Sequence, residues 1–199
     1  MTRRVITKRN WPLLLPVLAP PSWVAIWRSA SPGWVIRSVS ESNAKTPSLA
    51  DVQALLAGWW FDYDQGNFEA WPRYFTKDTH FSCRSDSQAT GFEEFVTDDV
   101  SGREAVLAWQ QEHRSQSPYP LRHNGTNIHL ASGARGVATF RSYIFVTQIV
   151  GGGVAPLASG ICLGEVRTEV GELRLKDLRL MLDFTDSQLF ATATRFAFD

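Results

Sequence analysis

Residues from about Thr46 to Asp183 are predicted to form one α+β domain, a cone of curled antiparallel sheet packed on three N-terminal helices. Three observations carry this. Apolar residues first recur at helical spacing. Four long strand-forming runs then follow, separated by turn signals. The last run changes its apolar phase midway, which bends it.

Thr46, Pro47 and Ser48 open the first helix, with Ser48 and Asp51 in the S-x-x-D form of a capping box. Val52, Leu55, Leu56, Trp59 and Tyr63 then form a buried stripe that ends near Gly66. Asn67 to Phe75 reads as a short second helix limited by Pro72, and Thr79 to Cys83 as a brief strand. Ser85 to Val100 is polar and acidic without firm periodicity, so a loop with one short strand is expected. Ser101 to Glu104 repeats the capping-box pattern and starts a third helix that runs to about Ser115.

Beyond Pro118 and Pro120 the pattern turns to strands: 121–130, 135–150, 157–169 and 173–183. Turns are expected at Ser132-Gly133, at Gly151 to Gly153 and at Val170-Gly171. In the last run Leu173 and Leu175 share one parity, while Leu178, Leu180 and Leu182 share the other. One register exposes one face, so a β-bulge is expected around Lys176–Asp177.

The chain has 199 residues, and its formal net charge of zero hides an asymmetry. Residues 1–45 hold seven basic side chains (Arg3, Arg4, Lys8, Arg9, Arg28, Arg37 and Lys45) against Glu41 alone. The remainder, with 13 basic and 19 acidic residues, is acidic and offers no footprint for nucleic acid. Eight Trp and twelve Phe suit a thick core or an apolar cavity wall. The two cysteines, Cys83 and Cys162, lie in strand-like runs and read as small buried apolar residues.

Residues 1–45 form a basic extension rich in Pro and Trp. Pro12, Pro16, Pro20 and Pro21 break its apolar stretch, and an internal proline costs a helix about 3 kcal/mol, so no membrane span is expected. Three readings of it stand. It is a disordered or spurious extension, an export signal with a twin-arginine-like start at residues 2–8, or a functional arm. A cytoplasmic location is expected, with export as the alternative. The tail, residues 184–199, carries Phe184, Leu189, Phe190, Phe196 and Phe198, which need cover on the sheet or across a dimer interface.

The stretch Asp64 to Phe75 (DQGNFEAWPRYF) resembles the helical opening of the SnoaL-like branch of the nuclear transport factor 2-like superfamily, a cystatin-like fold. Gly102-Arg103-Glu104 is similar to the start of the family's third helix, His123 to Asn127 (HNGTN) to the strand that carries a catalytic His, and Arg141 to Tyr143 to the next strand. In scytalone dehydratase and hexachlorocyclohexane dehydrochlorinase, that His pairs with an Asp on the first helix. The resemblance implies a dyad of His123 and Asp64 with Tyr63 beside the acid. Two departures stand out. The second pocket tyrosine would fall near Cys83, and the dehydrochlorinase's lysine at about Trp59.

The residues point the same way. Asp64 ends an aromatic helix on the flank of Trp60, where a carboxylate must be paired or hydrogen-bonded. His123 shares one strand face with Gly125, which leaves volume beside the imidazole, and with Asn127. An Asp–His pair fixes the tautomer and leaves the second nitrogen free to take a proton. The structural alternative is that Asp64 caps a turn and His123 is a satisfied core residue. Arg141 and Tyr143 share a parity and serve as polar anchors if they face inward. His129 stands about 20 Å along the strand from His123, and His80 and His113 lack ligand spacing, so no metal or other cofactor is expected. His113 and Arg114 read as surface groups favoured by a helix end.

The expected activity is that of a cofactor-independent lyase or isomerase acting on a small apolar ring compound, in a homo-oligomer (dimer or trimer). His123 and Asp64 would be catalytic, and Tyr63, Trp60, Asn127, Tyr143 and Arg141 substrate-binding. The alternative is a non-catalytic ligand-binding module, or a partner resembling the small subunit of ring-hydroxylating dioxygenases.

Overall fold

The computed structural model describes residues 44–191. The twin-arginine-like segment and Phe196 and Phe198 lie outside the described residues. In chain order the elements are helix α1 (Leu49–Gln65), a 3-10 helix (Phe68–Tyr74), strand β1 (Phe75–Ser85), helix α2 (Glu93–Val96), β2 (Asp98–Ser101), helix α3 (Arg103–Gln116), β3 (Leu121–Ala134), β4 (Val137–Val150), β5 (Gly153–Glu169) and β6 (Glu172–Leu182).

The start of α1 is set by reciprocal hydrogen bonds. The backbone N–H of Asp51 donates to Oγ of Ser48, and Oδ2 of Asp51 accepts from the backbone N–H of Ser48. Such a cap stabilises a helix by about 1 kcal/mol. The helix stops at Gly66, whose left-handed φ of 68° is a conformation glycine adopts without penalty. Val52, Leu56 and Trp59 are fully buried, and burial of an apolar side chain of this size contributes roughly 1.5–3 kcal/mol. Trp59 is the hub of an aromatic cluster with Tyr63, Trp71, Tyr74 and Phe75, all at tilted or edge-on angles. Much of the aromatic load is thereby explained as core.

Six strands form one curled sheet in the order β2-β1-β6-β5-β4-β3. All neighbouring pairs are antiparallel except β1 and β6, which run parallel. The bulge in the last strand is present. Glu165 pairs with Asp177 and the next β5 residue, Val166, with Leu175, so Lys176 is the extra residue and the parity of β6 flips there. Inward-facing Phe81, Phe140, Ile144, Val166, Leu175 and Leu178 meet α1 and α3 to make the core.

Several local expectations are corrected. Strand β1 begins at Phe75, not Thr79, because Phe75 and Thr76 are both buried around a register shift and so show no alternation. Ser101 does not cap α3. It pairs with His80 across β1 and β2, and Gly102, at φ 89°, takes the N-cap position without a side-chain bond. Ser132-Gly133 is not the turn. Strand β3 continues to Ala134, and the chain reverses at Gly136, which supplies the positive φ. The polar stretch after β1 holds α2 as well as β2, organised by Glu93, whose carboxylate accepts from Ser85 and Thr97 hydroxyls at 2.5 and 2.6 Å. In the tail, the backbone N–H groups of Phe184 and Thr185 donate to Asp86 at 2.8 and 3.0 Å. Among the described residues no helix is long and apolar enough to cross a membrane.

Candidate active site

The last turn of α1 leaves backbone carbonyls without intrahelical partners. Backbone N–H groups of Gly66 and Asn67 take that of Asp62, and buried Arg114, on α3, reaches those of Tyr63 and Asp64. Its Nε donates to the carbonyl of Tyr63 at 3.0 Å and its Nη2 to that of Asp64 at 2.7 Å, while Nη1 reaches the carbonyl of Pro118 at 3.1 Å. One guanidinium thus fixes the backbone that presents both Tyr63 and Asp64.

Asp64 is itself buried, and both its oxygens are used by one residue at the start of β3. Oδ2 accepts the backbone N–H of His123 at 2.8 Å, and Oδ1 meets Nδ1 of the same imidazole at 2.5 Å. A carboxylate only accepts, so Nδ1 carries a proton, and in the neutral ring Nε2 then presents a lone pair. The imidazole lies flat on the indole of Trp60, 4.6 Å between centroids and 5° between planes, with Tyr63 edge-on at 5.2 Å. One hydrogen bond from the ring, a second from its own backbone and two ring contacts leave it a single orientation.

A second imidazole shares the cavity. His113 projects from α3 between Phe95 (4.3 Å) and Trp109 (5.0 Å), and its Nδ1 lies 2.7 Å from the hydroxyl of Tyr63. Burial pushes its pKa down to about 4, with His123 and Arg114 adding to the effect, so it is neutral near pH 7. Burial also raises the phenol of Tyr63 above its ordinary value, although Arg114 opposes this, and the hydroxyl keeps its proton. Burial pushes the thiols of Cys83 and Cys162 up to about 12, so neither is a thiolate.

These groups border a cavity of about 590 Å³ whose apolar wall includes Trp60, Phe81, Val96, Trp109, Ile144 and Leu180. Exposed Phe92, Leu157 and Phe184 mark its outer end. Among the described residues, no lysine, arginine, aspartate or glutamate lines it. Its polar lining is the two imidazoles, Tyr63, Cys83, Ser117 and the amides of Gln110, Gln116 and Gln148. A neutral molecule fits such a wall, and an anion would find no cation among the described residues that line it. Among the described residues, no group of three or more His, Cys, Asp and Glu side chains could hold a metal ion.

Of the residues singled out in the sequence, the structure brings Asp64, His123, Tyr63 and Trp60 together. Asn127, Arg141 and Tyr143 are not with them. Asn127 sits exposed at φ 53° in a bulge of β3, where Thr126 pairs with Tyr143 and His129 with Arg141. The extra residue breaks the face it was expected to share with His123. Arg141 and Tyr143 occupy the outward parity of β4, while Phe140, Ser142, Ile144 and Val146 point in. The volume expected beside Gly125 is filled by Trp60, whose indole would lie 3.6 Å from an added Cβ. His113 and Arg114 are interior residues, not helix-end surface groups. The signal was present, since His113 continues the stripe Val106, Trp109, Gln110 at helical spacing.

The SnoaL-like domain family matches residues 45–179. No curated protein matches the chain. Solved structures of similar shape include a protein of unknown function from Mycobacterium tuberculosis, at 24% identity over 72% of this chain and 73% of that one with a TM-score of 0.55. A scytalone dehydratase-like protein of Novosphingobium aromaticivorans is 15% identical over 71% and 88% of the two chains, with a TM-score of 0.55. The beta subunit of an aromatic-ring-hydroxylating dioxygenase from the same organism is 15% identical over 69% and 90%, with a TM-score of 0.57. At these identities the structures speak to fold, which is cystatin-like in others of the group. With its helical opening, curled sheet and a match across two thirds of its length, the chain belongs to the SnoaL-like domain family.

Proposed function

We propose that the protein is a cofactor-independent lyase or isomerase, of dehydratase or cyclase type, acting on a small uncharged ring compound. The observation that carries this is Nε2 of His123, which has no partner among the described residues, at the wall of an apolar cavity, on a ring whose Nδ1–H is tied to Asp64. Nε2 takes a proton from a carbon beside an activating group, and the electrons of that C–H bond form a double bond or expel a leaving group. Asp64 stabilises the imidazolium that results. Rings lining the cavity, Trp60 beneath the base and Trp109 and Phe81 beyond it, match a flat ring substrate. Incubation of the purified full chain with a panel of neutral mono- and bicyclic hydroxy-ketones, followed by mass spectrometry, tests this. Turnover that vanishes in His123→Ala supports the reading; turnover unchanged in that variant removes it.

A second reading, a non-catalytic binding module or the subunit of a larger oxygenase, is favoured by one feature. The outward face of the sheet exposes Tyr143, Phe145 and Ile149, an apolar surface suited to cover by another copy or a different chain. Sedimentation of the purified protein separates a monomer from a dimer or trimer, and co-purification with an iron–sulfur large subunit would favour the subunit role.

A further inference from the structure

Val106, Gln110 and Arg114 are the buried residues of α3, four apart and therefore on one face. Val106 is apolar, and Arg114 spends its guanidinium on three backbone carbonyls. Gln110 differs from both. It is 1% exposed and lines the cavity, yet its Oε1 is closed off from solvent with no hydrogen-bond partner among the described residues. A buried acceptor left unpaired is costly and calls for an explanation. Of the described buried polar side-chain atoms without a partner, only two belong to the cavity wall, this Oε1 and Nε1 of Trp59. Trp59 is wedged among five rings. Gln110 is freer, because the last torsion of a glutamine is soft, and rotation about it turns either end of the amide to the cavity without moving the helix. The other cavity amides are wet. Gln148 is half-buried, and Gln116, six residues and about 9 Å further along α3, is exposed.

We propose that Gln110 is a specificity-determining residue whose vacant amide takes a hydroxyl of the ligand at the inner end of the cavity, so that neutral, largely apolar alcohols and phenols are selected over hydrocarbons of the same shape. The hydroxyl follows from the chemistry of the wall. No carboxylate, ammonium or guanidinium lines the cavity among the described residues, so a charged group on the ligand would be buried without a counter-ion. An amide carries an acceptor at one end and a donor at the other. A hydroxyl satisfies either end, donating to Oε1 or accepting from the amide N–H, whereas an ether or ketone oxygen only accepts. Because Oε1 holds no water to begin with, desolvation on binding falls on the ligand's hydroxyl alone. This selection operates whether the cavity is catalytic or only binds, since it makes no use of His123.

Two measurements on the full chain test it. In the first, equilibrium dialysis at neutral pH gives the affinities for 2-naphthol and for naphthalene, which differ by one hydroxyl. The ratio of the two is expected to fall roughly tenfold from the wild type to Gln110→Met, which keeps the length of the side chain and removes the amide. Naphthalene affinity should stay within about twofold, which also shows that the cavity is intact. A ratio that is the same within about twofold in Gln110→Met means that the hydroxyl is held by another group, and overturns the proposal. A wild-type chain that binds neither compound overturns it as well. In the second, urea unfolding of the ligand-free chain is compared with Gln110→Met and Gln110→Leu. Both midpoints are expected to hold or rise, because an apolar side chain replaces an amide that has no partner in the folded state. A midpoint lowered in both variants would show that the amide is already bonded within the fold, and the vacancy on which the selection depends would be gone.

Discussion

Two histidines in this molecule are held by carboxylates in nearly the same way, and only one is suited to chemistry. Inside the cavity, Nδ1 of His123 meets Asp64 at 2.5 Å. On the outer side of the sheet, Nδ1 of His80 meets Asp177 at 2.6 Å. The difference is the other nitrogen. Nε2 of His80 is taken by Asp99 at 2.9 Å, and Asp177 is shared with Arg179, so that ring is one link in a surface ion network. Nε2 of His123 has no described partner and borders a hollow. An Asp–His contact is therefore weak evidence of a base by itself. The unoccupied nitrogen beside an apolar space is what distinguishes the candidate.

The largest test of that distinction is a pair of substitutions. His123→Ala is expected to lower turnover by roughly 10²–10⁴-fold, the worth of a positioned general base. His80→Ala, at the same kind of contact, should leave turnover unchanged. Equal losses in the two variants would erase the contrast between them. Next comes the acid behind the base. Asp64→Ala strips two buried donors, Nδ1–H and the backbone N–H of His123, of their acceptor, and is expected to cost about 3 kcal/mol in urea unfolding. A loss below about 1 kcal/mol would mean that the carboxylate is far less engaged than the geometry indicates.

The two environments also predict opposite responses to pH. His113 faces Tyr63, His123 and Arg114, and its pKa falls from the ordinary 6.5 to about 4. Between those values the unfolded chain binds a proton that the folded chain refuses. Stability is then fully present above about pH 7 and declines as pH drops toward 4, by an amount on the order of 2–3 kcal/mol. For His80, the Asp177 hydrogen bond raises the pKa, with Asp99 adding to it and burial opposing. Its contribution is complete below 6.5 and disappears as pH rises through the elevated value. Urea unfolding from pH 4 to 8 should thus show the acid-side slope flattened in His113→Phe and kept in His80→Gln. Glu93, held down to about 2 by the Ser85 and Thr97 hydroxyls, contributes stability that is present above the ordinary 4.5 and lost as pH falls from there toward 2, so it touches only the acid end of that window and does so equally in both histidine variants.

The legibility of these features in the sequence follows the range of the interactions involved. Local ones were plain. The Ser48–Asp51 box, the Val52 to Tyr63 stripe, the Gly66 stop and the Lys176 bulge are each written within a few residues, and all are found. Features set by chain segments far apart were not. Ser101 looks like a cap until pairing with His80 claims it, and Asn127 looks like a neighbour of His123 until a bulge turns it outward. Arg114 reads as a surface cation because its partners, the carbonyls of Tyr63 and Asp64, come from a helix fifty residues away. The acid and base of the candidate site were legible through the family resemblance. Its second imidazole was not, because a His near a helix end gives no local sign that a phenol from another helix will meet it.

The smallest expected effect sharpens the comparison from the carboxylate side. Asp99 is 78% exposed at its side chain, whereas Asp64 is 5% exposed, although each bonds a histidine nitrogen. In water the Asp99 contact gains little over solvation and is screened by salt, so Asp99→Ala should cost under about 1 kcal/mol, and less still at 0.5–1 M salt. Asp64→Ala, by contrast, should be nearly insensitive to salt, because its loss is that of hydrogen bonds in a region that ions do not enter. Parallel urea titrations at low and high salt separate the two. A salt-dependent loss at Asp64 would mean that water reaches the dyad freely, and the unoccupied nitrogen of His123 would then be a solvated group like any surface imidazole.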